Sequence, residues 1–301
     1  MKKIFIVFLA LALLSGCQDS GTTENENPFV EGTNGILVDF IQDSPPSEVF
    51  DKSSTPFEID VELKNEGEFD VAASDVVVKI VGIDPAEFGS AELTASPEDD
   101  LDGVSKDSAG NKQDGTITEV RFEDLVYEDE IVGANAVKNI VADVCYEYGT
   151  TAVADVCILK DSSKDKSSVC KVGETKKVYS SGAPVKVSSF TERPAGKNRI
   201  EFEFSIEKAG SVKKIYKEGT DCADVRSNEN VVKVDVSGID GLSCVGLDTE
   251  GYATMMNGKK VVKCSFEHES DIDYEKTANI RLSYEVNDDA KTTISIKHTE
   301  D

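Results

Sequence analysis

PFEIDVELKNEG, residues 56–67, sets Phe57, Ile59, Val61 and Leu63 on one side of the chain and Glu58, Asp60, Glu62 and Lys64 on the other. Alternation with a period of two is what a half-buried strand requires, because successive side chains point to opposite faces. Residues 198–210, NRIEFEFSIEKAG, repeat it with Ile200, Phe202, Phe204 and Ile206 against Glu201, Glu203, Ser205 and Glu207. At an offset of 143 residues, FEIDVELKNEG and IEFEFSIEKAG align Glu58 with Glu201, Asp60 with Glu203, and Gly67 with Gly210. A structural duplication is the expectation, with Gly67 and Gly210 as turn glycines at positive φ.

Working outward, strands are expected over 36–41, 76–83, 116–122, 138–148 and 152–159, with Gly149-Thr150 as a tight turn between the last two. The second half offers 184–190, 231–237, 251–256, 259–266, 280–286 and 293–298. Strands at this density, with glycine, asparagine and proline turns and no long segment of helical period, indicate an all-β chain of two immunoglobulin-like β-sandwich domains. Ser181-Gly182-Ala183-Pro184 divides a first sandwich, 35–181, from a second, 182–301. Residues 97–115 read as an acidic surface loop.

Lys2 and Lys3, the apolar run 4–14 and Ser15-Gly16 have the zones of an export signal over residues 1–16. The run is too short to span a bilayer, which takes roughly 20 apolar residues. Leu14-Ser15-Gly16-Cys17 resembles the lipobox of bacterial and some archaeal lipoproteins. That resemblance implies that Cys17 becomes a lipidated N-terminus, anchored on the cell surface or the periplasmic side of a membrane. Residues 17–34 would follow as a flexible acidic tether, since Gln18 to Pro28 has no aliphatic or aromatic residue to offset its ordering entropy.

Setting Cys17 aside leaves six cysteines, an even number that suggests three disulfides in an exported chain and permits 15 connectivities. Cys157 and Cys170 bracket a polar run whose closure is worth about 3 kcal/mol on the chain-entropy picture. Cys244 and Cys264 flank the hairpin signal Asn257-Gly258, which leaves Cys145 for Cys222. The formal charge of −26, or −28 once Lys2 and Lys3 are removed, argues against nucleic acid partners and leaves membrane attachment to acyl chains.

Chemistry-bearing patterns are sparse, and no enzyme is expected. His268 and His298 are the only histidines and belong to no metal-binding pair; G-x-S-x-G and phosphate-cradling loops are absent, and without tryptophan there is no such platform for a sugar. Asp100, Asp102, Asp107 and Asp114, beside flexible glycines, are hard oxygen donors suited to Ca²⁺. The EF-hand spacing is not met, and a solvated acidic loop is the plainer reading.

ELKNEGEFDV, residues 62–71, resembles through Asn65 and Gly67 the strand and turn of CARDB and related immunoglobulin-like modules of archaeal and bacterial surface proteins. The resemblance implies adhesion, or carriage of other domains, outside a cell. The expected function is that of a lipid-anchored, non-catalytic extracytoplasmic surface protein, a binding or spacer module whose partner is an extracellular or envelope protein or a glycan. Two alternatives stay open. One is an exported solute- or glycan-binding protein or hydrolase using scattered carboxylates, with Tyr146, Tyr148, Tyr252 and Tyr274 as binding aromatics; the other is an accessory component of a surface fibre.

Overall fold

A computed structural model describes residues 26–164, 166–210 and 214–298. Residues 1–25, Cys17 among them, lie outside it. The first half of the chain forms β1 (Ile36–Phe40), β2 (Glu48–Phe50), β3 (Phe57–Asn65), β4 (Val76–Val81), β5 (Thr94–Ala95), β6 (Ser105–Lys106), β7 (Lys112–Gln113), β8 (Ile117–Leu125) and β9 (Asn135–Ile158). The remainder forms β10 (Thr175–Lys176), β11 (Val178–Ser180), β12 (Val185–Pro194), β13 (Arg199–Lys208) and β14 (Lys214–Tyr216). It ends with β15 (Val231–Ser237), β16 (Ser243–Val245), β17 (Tyr252–Thr254), β18 (Lys259–Glu267) and β19 (Tyr274–Lys297).

The fold is all-β and is organised by β9 and β19, each 24 residues long. They pair antiparallel from end to end, Asn135 opposite Lys297 and Ile158 opposite Tyr274. Around them a nine-stranded sheet runs β17-β15-β19-β9-β4-β5, with β11 also beside β9 and with β14 and β2 beside β19. Two smaller sheets, β1-β3-β8 and β10-β12-β13-β18-β16, complete the layers. One contiguous core runs through both halves, from Ile59, Val61, Val78 and Val144 to Phe202, Phe204, Val234 and Ile280.

The strand orders make the internal repeat explicit. In the first half, β1-β3-β8 accompanies β5-β4-β9; in the second, β12-β13-β18 accompanies β17-β15-β19. Six strands of each half therefore stand, numbered among themselves, in the orders first-second-fifth and fourth-third-sixth. Beside its sixth strand each half has a stretch of the other half's sixth strand, an exchange between the halves. β4 pairs with residues 141–146 of β9, whose other side is lined by the C-terminal part of β19. β15 pairs with residues 279–283 of β19, whose other side is lined by the C-terminal part of β9.

This exchange overturns the expected turn at Gly149-Thr150. Gly149 lies opposite Ser283 and Thr150 opposite Leu282, within unbroken strand. No reversal is needed where the next strand comes from the other half. Gly149 makes room for the Phe69 ring, which packs on Tyr148 at 5.4 Å between centroids. The strands expected over 280–286 and 293–298 are likewise parts of β19.

The acidic loop is more ordered than its composition suggests. Leu101 and Val104 are buried, Val71 and Leu101 form a bridge, and β6 pairs with β7. Of the expected tether, Val30 and Glu31 are bound to the body through their backbone N–H groups, both held by Glu68 at 2.8 Å.

Candidate functional site

The chain enters the body where the two halves meet, and a set of polar contacts fastens it there. The Glu68 carboxylate accepts from Val30 and Glu31 and, at 2.6 Å, from the Gly182 N–H, so it joins the N-terminal segment to the start of the second half. Lys106 Nζ donates to the Asn27 carbonyl at 2.9 Å. Tyr146, at the inner end of the β4 pairing, accepts from the Ile36 N–H at 3.1 Å, and Tyr284 accepts from the Val185 N–H at 3.2 Å. Ile36 and Val185 hold the same place in their halves, each being paired with the residue two before the glycine-containing end of the alternating strand, Asn65 and Lys208. Burial holds the phenols of Tyr146, Tyr148 and Tyr284 well above their usual pKa, so they are neutral structural donors and acceptors.

Asn65 and Gly67, which carry the sequence resemblance, are central to this junction. The Asn65 amide donates to the Phe69 and Leu101 carbonyls at 2.7 and 3.0 Å and accepts from Tyr148 Oη at 3.0 Å. Gly210 has φ +68 as expected of a turn glycine, but Gly67 is outside the positive-φ region. Its requirement is space: a Cβ would collide with Tyr148 Oη and come within 2.7 Å of the Gly182 carbonyl.

Three disulfides join Cys145 to Cys222, Cys157 to Cys170 and Cys244 to Cys264. Two have buried carboxylates beside them that alternation did not single out. Glu285 accepts from the N–H groups of Thr220, Asp221 and Cys222 at 2.7, 3.1 and 2.6 Å and so shapes the loop that carries Cys222. Glu192, fully buried, accepts from the Cys157 N–H at 3.1 Å, with Lys176 Nζ 3.5 Å away. Burial pushes its carboxyl up to about 7, against the opposing pull of the Cys157 N–H and the lysine. Its signal in the sequence is parity, because Glu192 falls on the inward face of β12 with Phe190.

The calcium candidates do not converge. Asp100 accepts from the Ala73 N–H, Asp107 from Ala109, Asn111 and the Asn111 amide, and Asp114 pairs with Lys112, while Asp102 contributes its backbone carbonyl to Thr116. Among the described residues, three potential metal-ligating atoms lie within 4.8 Å of one another at Cys145, Cys222 and Glu285, and the disulfide occupies both sulfurs.

His298 Nδ1 is 2.7 Å from the buried Asp51, whose carboxylate raises its pKa. His268 Nε2 is 2.9 Å from Ser162 Oγ, the spacing of a nucleophile and its base. Ser162, however, is fully buried, burial lowers the histidine pKa, and Nδ1 has no hydrogen-bond partner among the described residues to orient the ring. Tyr146 and Tyr148 are core residues, whereas Tyr252 and Tyr274 are partly exposed.

Fold and junction thus define an all-β, disulfide-bonded body with its N-terminal segment fastened at its midline. Residues 1–18 match the family model of the prokaryotic membrane lipoprotein lipid attachment site, which marks the chain as a membrane-anchored lipoprotein of the envelope. No curated protein matches the chain. No helix among the described residues is long and apolar enough to cross a membrane.

Proposed function

We propose that this lipoprotein is a non-catalytic surface module that holds binding loops, or a partner, at a set distance from the membrane. The observation that carries the reading is the lipid attachment site at residues 1–18, followed about a dozen residues on by a docked segment, Val30 and Glu31 on Glu68. The exchanged strands suit a spacer: at about 3.3 Å per residue, a 24-residue ladder extends up to about 80 Å, with each residue of β9 opposite one of β19. The first-second-fifth and fourth-third-sixth orders support two immunoglobulin-like sandwiches over 35–181 and 182–301, each completed by a strand of the other. An extracellular or envelope protein or a glycan is the proposed class of partner. Lipidation is assigned to Cys17, and Triton phase partitioning tests it. Wild type should enter the detergent-rich phase and a folded Cys17→Ser variant the aqueous phase; equal partitioning of the two would remove the anchor from the account.

A further inference from the structure

The two halves differ at one edge. In the second, β16 covers the outer edge of β18, in register from Ser243 opposite Ser265 to Val245 opposite Lys263, and Cys244–Cys264 secures it. In the first half the equivalent strand, β8, pairs with β3 alone. The connection that forms β16 in the second half is replaced in the first by a short 3-10 turn, Pro85–Phe88, which buries Phe88 against Phe57 and Tyr127. Among the described residues, no strand is hydrogen-bonded to the outer edge of β8, although β5 and the residues after it run close by.

The phase of the ladder identifies the free backbone groups. The Asn65 N–H donates to the Thr116 carbonyl at 3.0 Å. In an antiparallel pair this turns residues 118, 120 and 122 toward β3 and the N–H and C=O groups of Ile117, Glu119 and Arg121 outward. Beside this edge an open groove of about 740 Å³ runs between residues 95–99 and β8. Glu98, Asp99, Glu119 and Glu123 line it, and the cation among its described lining residues, Arg121, is held by Glu119 at 2.6 Å. The side chain of Ile117 is 54 % exposed at one end.

We propose that the β8 edge docks an extended segment of a partner protein that carries lysine or arginine at alternate positions and adds to the β1-β3-β8 sheet as a fourth strand. Main-chain bonds to residues 117, 119 and 121 supply the attachment, and the acidic groove selects the charge. A second copy of this chain is a poor occupant. Each copy carries a formal charge of −26, so bringing two of these acidic edges together opposes like charge. The inference deepens the display reading, but its test is read on mature protein in detergent, so failure of docking and failure of anchoring are separate results.

The probe is the capped hexapeptide Lys-Val-Lys-Val-Lys-Val, with Glu-Val-Glu-Val-Glu-Val as control, followed by calorimetry and amide hydrogen exchange. The basic peptide should bind and slow exchange at residues 117, 119 and 121. Glu119→Pro should weaken binding at least about tenfold with unchanged melting, since proline is tolerated where an edge N–H faces solvent. If that variant fails to fold, Glu98→Lys with Asp99→Lys decides, with the same loss expected. Equal binding of the acidic peptide, protection confined to other strands, binding that survives these substitutions, or dimerisation through β8 would each overturn the proposal.

Discussion

Replacing Glu192 by glutamine should remove a pH dependence that the fold builds into its second half. Glu192 is fully buried beside Cys157, with Lys176 at 3.5 Å and Glu174 in turn 3.0 Å from that lysine. Its carboxyl titrates near 7 when folded, against an ordinary 4.5. Between those values the folded chain keeps a proton that the unfolded chain has lost, so stability falls as pH rises. The contribution is fully present below pH 4.5 and is lost as pH passes through 7. At about 1.4 kcal/mol per pKa unit the change is roughly 3 kcal/mol. The glutamine amide would still accept the Cys157 N–H but would not titrate, and Lys176 would retain Glu174. Urea unfolding at pH 5 and pH 8 is the assay. Wild type and variant should be similar at pH 5, and the variant should be the more stable by up to about 3 kcal/mol at pH 8. Parallel pH profiles, or a wild type that gains on the variant as pH rises, would show that Glu192 does not hold its proton in the fold.

Tyr146→Phe and Tyr284→Phe each strip the acceptor from a buried N–H, that of Ile36 or Val185, and should cost about 1–3 kcal/mol apiece in denaturant unfolding. A negligible cost for either would contradict the equivalence of the two halves. Gly67→Ala should destabilise by about 1–3 kcal/mol through crowding against Gly182 and Tyr148, and should raise hydrogen exchange at Val30 and Glu31. Unchanged exchange there would detach the N-terminal segment from the junction.

Alternation alone places β3 and β13, because each has an apolar face in the core and a polar face that stays mostly half-buried. It could not reveal the strand exchange. Gly149-Thr150 has the composition of a hairpin turn, and what keeps it extended is the opposing stretch of β19, which is remote in sequence. The acidic loop misleads for a different reason: the carboxylates of Asp100 and Asp107 are consumed by nearby backbone N–H groups, a local folding use that composition cannot distinguish from ligand binding. The partner of His298 was hidden by sequence distance: Asp51, 247 residues earlier, meets it across β2 and β19. Glu192 and Glu285 hold disulfide-bearing segments in place and were hidden because a charged residue at an inward position has no local mark of its partner.

Calorimetric unfolding of the mature protein, beside the separately produced segments 26–181 and 182–301, shows whether the two halves share their strands. If each half depends on the other for the strand beside its sixth, the whole protein melts in one transition whose calorimetric and van't Hoff enthalpies agree, and neither segment folds cooperatively alone. Two independent transitions in the whole protein, each reproduced by its own segment, would contradict the exchange and with it the proposed spacer role.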